Sequence, residues 1–305
     1  MRIVVTGGTG FIGWPLCLSL CQEGHKVTLL TRRPAEAQRL FGLAATVIEW
    51  GGQEAGSWEQ VLDGADAIIN LAGASIADAR WTTARKRLLA ESRVRTTCLL
   101  VDAMARRSSR SRTLISASGI GYYGASDDRI LDEGAVRGQG FLADLCLEWE
   151  EAALAAASFG TRVVTLRTGM VLEQDGGALP KMVLPFRLFA GGPIMPGTQW
   201  VSWIHRRDHI GVIQWALATS SVSGPVNAVA PGAVTMKTFC DALGQVLHRP
   251  SWLPVPGFAL KAALGELGTL MTTGQRVGPA KALAGGYTFQ YPTLEPALRA
   301  ILTNE

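Results

Sequence analysis

The fold of this chain follows from Ile3-Val4-Val5-Thr6-Gly7-Gly8-Thr9-Gly10-Phe11-Ile12-Gly13, which joins an apolar strand directly to an amphipathic helix. Gly7 allows a tight reversal, Gly10 has no Cβ to hold a pyrophosphate off the backbone, and Gly13 lets the helix lie close to the strand. An anion can then bind the free N–H groups at the start of the helix. The stretch predicts a dinucleotide-binding turn, the alternative being an ordinary glycine turn.

Strands and helices alternate after this turn. The predicted strands run from Lys26 to Thr31, Val47 to Trp50, Ala67 to Leu71, Thr113 to Ser118 and Arg162 to Arg167, and the predicted helices from Phe11 to Glu23, about Trp81 to Ala105 and about Phe141 to Ala157. Near-continuous apolar strands that alternate with helices indicate a parallel sheet covered on both faces. The sequence therefore predicts an α/β protein with a doubly wound parallel sheet of the Rossmann, NAD(P)-binding kind.

After Gly169 the sequence becomes richer in glycine and proline, which separate short segments, as in Gly191-Gly192-Pro193. Such segments suit loops and a small mixed lobe on the substrate side of the sheet. We predict three parts: residues 1–168 as the nucleotide-binding domain, 169–249 as a substrate-side lobe with segments that return to the main body, and 250–305 as a C-terminal extension of unassigned function.

Two arginines follow the second strand, at the end of the sheet where the adenosine is expected. A free ribose 2′-hydroxyl usually meets an Asp or Glu about twenty residues beyond the glycines, whereas a 2′-phosphate needs cations. This chain has Thr31-Arg32-Arg33 there, and a guanidinium makes a forked, charge-assisted contact with phosphate. The sequence favours NADP(H) over NAD(H), the alternative being two solvated arginines at a strand end.

The composition is that of an ordinary globular protein, with a formal charge of only +4 over 305 residues. The basic residues Arg106-Arg107 and Arg110 to Arg112 are interpreted as a solvated helix end, so we expect no nucleic-acid partner. The five cysteines include no Cys-x-x-Cys pair and are expected to be buried and reduced. No apolar run reaches membrane-spanning length and the first strand leaves no room for a signal peptide, so we expect a cytoplasmic protein without a membrane partner.

Three stretches, Thr6 to Gly13, Asn70 to Gly73 and Ser116 to Gly124, resemble the extended short-chain dehydrogenase/reductase superfamily in its epimerase/dehydratase branch. More narrowly, the chain resembles the atypical subgroup labelled "epimerase family protein", whose conserved C-terminal piece has no assigned function. The residues that carry this second resemblance are Arg80-Trp81, Ser92-Arg93, Leu184-Pro185-Phe186, Gly191-Gly192-Pro193, Trp203-Ile204-His205 and Gly274-Gln275-Arg276-Val277.

The resemblance implies a set of NADP(H)-binding residues. These are Gly7, Thr9, Gly10, Phe11, Ile12 and Gly13 at the pyrophosphate, Thr31, Arg32 and Arg33 around the adenosine phosphate, Leu71, Ala72 and Gly73 on the adenine and ribose side, Arg93 from the long helix, and Ser118 and Val171 towards the nicotinamide. The alternatives are plain core positions for Leu71, Ala72 and Val171, and a surface ion pair for Arg93.

The usual proton relay of the superfamily is missing. Typical members use a Tyr whose pKa is lowered by a Lys four residues later, together with a Ser that orients the substrate oxygen, because a phenol with a pKa of about 10 is a poor base at neutral pH. Ser118 is present, but the resemblance places Phe141 at the Tyr position and Leu145 at the Lys position. Neither side chain can carry a proton.

Two functions remain open. The first is an NADP(H)-dependent oxidoreductase or nucleoside-sugar-type epimerase that acts on a small polar carbonyl or sugar-like substrate, an expectation taken from the fold by analogy. Its catalytic candidates are Ser118, Tyr122, Tyr123 and His205, although Tyr123 could simply line the substrate pocket. The second is a non-catalytic NADP(H)-binding sensor or scaffold.

Two further expectations concern metals and partners. His205, Asp208 and His209 stand at helical-turn spacing, but Arg206 and Arg207 would repel a cation, so we expect no metal site. A homodimer is an expected option, because long surface helices such as that from Trp81 to Ala105 can pair between subunits.

Overall fold

The computed structural model describes residues 1–107, 109 and 111–303, so Arg110 of the basic run lies outside the described residues. The strands are β1 Arg2–Thr6, β2 Lys26–Thr31, β3 Ala45–Glu49, β4 Ala67–Asn70, β5 Thr113–Gly119, β6 Arg162–Thr168, β7 Met170–Glu173, β8 Gly176–Gly177, β9 Trp200–Val201, β10 Trp203–His205, β11 Gly224–Ala228 and β12 Val234–Thr235. The helices are α1 Gly13–Gln22, α2 Pro34–Phe41, α3 Thr83–Ala90, α4 Thr96–Ala105, α5 Phe141–Leu154, α6 Leu179–Arg187, α7 Arg206–Ala218, α8 Met236–Leu247, α9 Gly257–Leu264, α10 Glu266–Thr272, α11 Ala280–Ala284 and α12 Leu294–Leu302.

The main sheet has seven parallel strands in the order β11-β6-β5-β4-β1-β2-β3. Strand order reverses between β1 and β4, where Val5 pairs with Leu29 on one side and Ile69 on the other. Buried residues form separate apolar clusters on its two faces, one around Leu16 and Val212, the other around Leu100 and Leu114. The predicted doubly wound α/β fold is confirmed, and ligands of such sheets bind at the switch point, past the carboxyl ends of the strands.

The edge strand β11 was not among the strands predicted from the sequence. Its residues Gly224–Ala228 begin with Gly-Pro, which reads as a turn, yet they pair in parallel with β6 from Val164 to Thr168. Proline is tolerated there because an edge strand leaves one row of backbone groups without a ladder partner. The strand returns a segment of the predicted lobe to the main sheet.

The long helix predicted from Trp81 to Ala105 is interrupted. It starts at Thr83, where Thr82 accepts a hydrogen bond from the N–H of Arg85 at 3.2 Å, and a wider π turn, Glu91–Arg95, separates α3 from α4. Such π turns often mark functional sites because the extra residue changes which side chains face inwards. Here the turn directs Arg93 into the protein, where its side chain is 7% exposed.

The residues after 169 form a lobe with its own apolar cluster. Its small sheets are β10-β7-β8 and β12-β9, and Phe186, Trp203 and Phe239 pack between them and the helices. The last helix, α12, adds Leu298 to the same cluster and packs against α8. The division of the chain at residue 250 stays a prediction, since the extension and the lobe share this core.

Two expectations from composition concern solvent exposure and membranes. Cys98 is exposed and Cys21 is half-buried, so the expectation that all five cysteines are buried is wrong for these two, while Cys17, Cys146 and Cys240 are buried as expected. Within the described residues, no helix is both long and apolar enough to cross a bilayer. The cytoplasmic location stays a prediction.

Candidate nucleotide and substrate site

A cleft of about 230 Å³ opens at the carboxyl ends of β1, β2 and β4, beside the switch point. It brings together many of the cofactor residues expected from the sequence, namely Gly7, Thr9, Gly10, Thr31, Arg32, Arg33, Leu71, Ala72 and Gly73. The remaining walls come from residues that the sequence analysis did not assign to the cofactor, chiefly Trp50 to Gln53 after β3 and Glu91, Ser92, Arg95 and Thr96 around the π turn.

The glycines shape this cleft by allowing close backbone approach. Gly7 has a φ of 70°, and a Cβ there would lie 2.7 Å from the backbone of Leu71 at the end of β4. A Cβ on Gly13 would lie 2.2 Å from the carbonyl oxygen of Gly7, so the turn and the first helix can touch only without side chains. The N–H of Gly10 donates to that same carbonyl at 3.0 Å, which closes the turn.

Cations surround the end of the cleft past β2. The guanidinium of Arg33 pairs with Glu36 at 2.8 Å, whereas Arg32 has no carboxylate within ion-pair distance among the described residues. Arg95 lines the same cleft from the π turn, and its Nη2 donates to the carbonyl of Gln53 at 3.5 Å. The sequence analysis did not identify Arg95 as a cleft residue, because the sequence of the predicted helix gives no sign of the π turn on which Arg95 lies.

Arg93 is a buried cation without an anionic partner among the described residues. Its guanidinium donates to the carbonyls of Ala74 at 2.8 Å and Leu89 at 3.2 Å, and lies 5.2 Å from the ring of Trp149. No carboxylate among the described residues lies within 4.0 Å, and burial lowers the pKa of Arg93 to about 10. The surface ion pair weighed for this residue is therefore wrong, and its unpaired charge suits an anionic ligand.

Phe11, Ile12, Gly13, Val171, Arg93 and Ser118 do not line the cleft itself. The ring of Phe11 lies under the β7–β8 hairpin, where a Cβ on Gly176 would come within 2.5 Å of it, and Arg206 stacks on it at 5.1 Å. Val171 is 9% exposed and pairs with Ile204 in the apolar cluster around Leu16 and Val212, against which Phe11 also packs.

Ser118 belongs to a buried polar network. Its hydroxyl donates to Oε1 of Glu150 at 2.7 Å, and Glu150 accepts two hydrogen bonds from Arg167, at 2.8 Å from Nε and 2.9 Å from Nη2. All three side chains are at most 5% exposed. Because the only hydroxyl hydrogen of Ser118 is used by Glu150, this serine faces any ligand as a hydrogen-bond acceptor.

The two tyrosines after β5 have different environments. Tyr123 is 3% exposed, and its hydroxyl contacts Asn227 Oδ1 at 2.7 Å, the Asp132 carbonyl at 3.0 Å and Arg167 Nη1 at 3.0 Å. Burial raises the pKa of Tyr123 despite the neighbouring arginine. The ring of Tyr122 stacks on the Arg167 guanidinium at 3.5 Å, and none of the described residues hydrogen-bonds its hydroxyl.

The positions of the missing dyad are apolar contacts. Phe141 meets the ring of Trp81 edge-on at 5.4 Å and the ammonium of Lys86 at 5.1 Å, while Leu145 is buried at 3% exposure. Lys86 pairs with Glu266 of α10 at 2.5 Å. By the resemblance, a Tyr–Lys relay would stand at these two positions, and the side chains present there make only ring and apolar contacts.

His205 and its neighbours are structural. His205 Nδ1 accepts the N–H of Arg207 at 3.0 Å, which caps α7, and the ring stacks on Tyr291 at 4.1 Å. Burial lowers the pKa of His205 to about 4. The carboxylate of Asp208 accepts the backbone N–H groups of Gln290 at 2.7 Å and of Tyr291 at 2.8 Å. The structure thus gives His205 a capping role in place of the proton-transfer role considered for it.

The fold and this cleft define a class of protein. Residues 3–229 match the NAD dependent epimerase/dehydratase family, and the chain belongs to it. Residues 255–301 match a domain of unknown function, DUF1731. Both matches confirm the resemblance inferred from the motifs, including the subgroup with a C-terminal piece of unassigned function.

Particular relatives are similar over most or all of their length. The epimerase family protein SDR39U1 homolog of Arabidopsis thaliana, a chloroplastic protein, is 42% identical over 99% of this chain and 87% of its own. Epimerase family protein YfhF of Bacillus subtilis is 39% identical over 100% and 99% of the two chains. The crystal structure of human epimerase family protein SDR39U1 (isoform 2) with NADPH superposes with a TM-score of 0.87 at 35% identity, covering 100% of both chains.

Proposed function

We propose that this protein binds NADP(H) and uses it as an oxidoreductase or nucleoside-sugar-type epimerase on a small polar carbonyl or sugar-like compound. The observation that carries the cofactor assignment is Arg32, a cleft residue with no carboxylate partner among the described residues, placed where a ribose 2′-phosphate is recognised. The NADPH held by the human relative supports the same choice.

The residues present fit this cofactor. Gly7 and Gly10 leave the backbone free for the pyrophosphate, Arg32 with Arg95 would hold the 2′-phosphate, and buried Arg93 would add a third cation near the cleft. When bound, NADP(H) supplies or accepts a hydride. The chain itself must then position the reacting oxygen and exchange its proton.

The acceptor character of Ser118 and the free hydroxyl of Tyr122 define what the chain offers to a substrate. Ser118 would orient a substrate hydroxyl, because its own hydrogen is used by Glu150. Tyr122, stacked on Arg167, remains the candidate proton donor, since Tyr123 and His205 are held by structural contacts.

Cofactor choice is tested by titrating the native protein with NADPH and NADH. Arg32→Ala should weaken NADPH by about 2 kcal/mol, roughly thirtyfold, and leave NADH almost unchanged, because only NADPH carries the 2′-phosphate. Arg39→Ala removes an exposed arginine of α2 outside the cleft and is the matched control. Equal weakening of both nucleotides by Arg32→Ala would contradict the assignment.

A second candidate function is a non-catalytic NADP(H) sensor or scaffold, and Phe141 with Leu145 favours it. The two are separated by incubating the protein with NADPH and a panel of carbonyl compounds. Turnover that is lost in Ser118→Ala or Tyr122→Phe supports the enzyme. Tight NADPH binding without oxidation of the cofactor across the panel supports the sensor.

A further inference from the structure

Exposed apolar side chains lie on segments that contact one another where the lobe meets the C-terminal extension. We call this surface the apolar ridge. Its main members come from the end of α6, the loop after it and the segment that leads into α9: Leu184, Leu188, Phe189, Trp252, Leu253 and Phe258. Trp252 is 65% exposed and Phe258 79%, which is unusual for large aromatic side chains on a water-soluble surface.

Backbone and side-chain contacts hold the ridge together. The N–H groups of Trp252 and Leu253 both donate to the carbonyl of Gly191, at 3.0 and 3.1 Å. The indole N–H of Trp252 donates to the carbonyl of Phe189 at 3.0 Å, and the guanidinium of Arg249 stacks on the Phe189 ring at 4.4 Å. The exposed rings are thus held on an ordered surface.

Helix α9 extends the ridge. Its sequence, Gly257–Leu264, has Lys261 as its only charged residue, yet none of its residues is buried. A helix that is apolar on all sides normally lies in a protein core or against lipid. The paired positions Ile194 and Val255 keep the start of this helix beside the loop after α6.

The charged residues within the segments that carry the ridge are all basic. Residues 176–207 and 242–265, the segments that carry it, contain no Asp or Glu. Arg187, Arg249 and Lys261 lie in these segments, and no described carboxylate is within 4.0 Å of any of them. A second copy of this chain would place like charges against each other, whereas an anionic surface would neutralise them.

We propose that the apolar ridge docks this protein on the surface of an anionic lipid membrane. Trp252, Phe258 and the leucines would enter the boundary between headgroups and acyl chains, while Arg187 and Arg249 would meet the lipid phosphates. Such docking needs no spanning helix. The expectation of no membrane partner considered only spanning segments, and this proposal departs from it.

The test is sedimentation of the full chain with vesicles of phosphatidylcholine alone or mixed with phosphatidylglycerol. We expect binding to the mixed vesicles that weakens as salt is raised. Arg187→Gln with Arg249→Gln should reduce it about thirtyfold, from about 1 kcal/mol per basic residue near an anionic leaflet. Trp252→Ser with Phe258→Ser should abolish it, whereas Leu43→Ser, which removes an exposed leucine far from the ridge in sequence, should not.

The ridge residues do not line the nucleotide cleft, so NADPH affinity checks that each variant is folded and keeps this test separate from the proposed function. Failure of the wild-type protein to bind mixed vesicles would overturn the proposal. Equal binding by wild type and the Trp252/Phe258 variant would also overturn it. Self-association that this variant abolishes, without vesicle binding, would make the ridge an interface between two copies.

Discussion

Ser118 at the end of β5 donates a hydrogen bond of 2.7 Å to Glu150 on α5, and Glu150 in turn accepts hydrogen bonds from Nε and Nη2 of Arg167. The Glu150 carboxylate is buried, and the hydrogen bonds from Ser118 and Arg167 replace the water that would otherwise solvate its charge. Removing one member of a buried ion pair is costly because the other charge is left without compensation.

Glu150→Gln should therefore lower the free energy of unfolding by about 3 to 5 kcal/mol, since Arg167 would stay buried without a countercharge. Ser118→Ala should cost less, about 1 to 3 kcal/mol. Ser19→Ala is the control, because Ser19 also donates to a glutamate, Glu23, but in an exposed pair. Urea unfolding measures the change in the free energy of unfolding for all three variants. Similar losses in Ser118→Ala and Ser19→Ala would show that the buried hydrogen bond stabilises the protein no more than the exposed one.

The two adjacent tyrosines should respond differently to loss of the hydroxyl group. Tyr123→Phe leaves Asn227 and Arg167 with one hydrogen bond fewer inside the protein, so we expect a loss of about 1 to 3 kcal/mol in stability. Tyr122→Phe should change stability by less than about 0.5 kcal/mol. Thermal unfolding of both variants checks this difference, and a larger loss from Tyr122→Phe would contradict the geometry.

Gly13→Ala should distort the nucleotide turn. The added Cβ would lie 2.2 Å from a backbone oxygen of Gly7, which cannot move without opening the turn. We expect a loss of about 1 to 3 kcal/mol in stability, with much weaker NADPH binding. Gly56→Ala lies outside the cleft, its added Cβ would make only an ordinary contact with Trp58 at 3.5 Å, and it is the control that should keep its stability within about 0.5 kcal/mol and its NADPH affinity.

Stability should fall as the pH drops from 6.5 towards 4. His209 is buried, its Nε2 contacts Thr168 Oγ1 at 3.0 Å, and burial lowers its pKa from 6.5 to about 4. Above pH 6.5 neither state binds the proton. Between these two pKa values only the unfolded state binds the proton, so the free energy of unfolding falls by about 3 kcal/mol over this range.

Denaturant titrations at several pH values measure this loss, and His209→Gln, which keeps a hydrogen-bonding group, should flatten the pH dependence by up to one proton. His205 should contribute in the same direction, because burial also lowers its pKa to about 4. An unchanged pH dependence in His209→Gln would show that the buried ring does not stay neutral in the folded protein.

The sequence alone determined the parallel sheet except its edge strand β11, the glycine turn and the cationic end of the cleft. These features depend on residues that are close together in the chain, namely Gly7, Gly10 and Gly13 in the turn and the two arginines directly after β2. In a parallel sheet, the residues that follow each strand lie at the same edge, so chain order alone places them beside one another. The family resemblance correctly assigned the chain as a whole.

Only the tertiary structure decided which side chains are free to act. Arg93 faces inwards because a π turn rotates it, His205 is used as a helix cap, and Ser118 gives its hydrogen to a glutamate thirty-two residues away. Each outcome depends on partners from distant segments, and pattern and spacing along the chain carry no information about such contacts. The exposed ridge of Trp252 and Phe258 likewise appears only once burial is known, because an apolar residue in a sequence reads first as core.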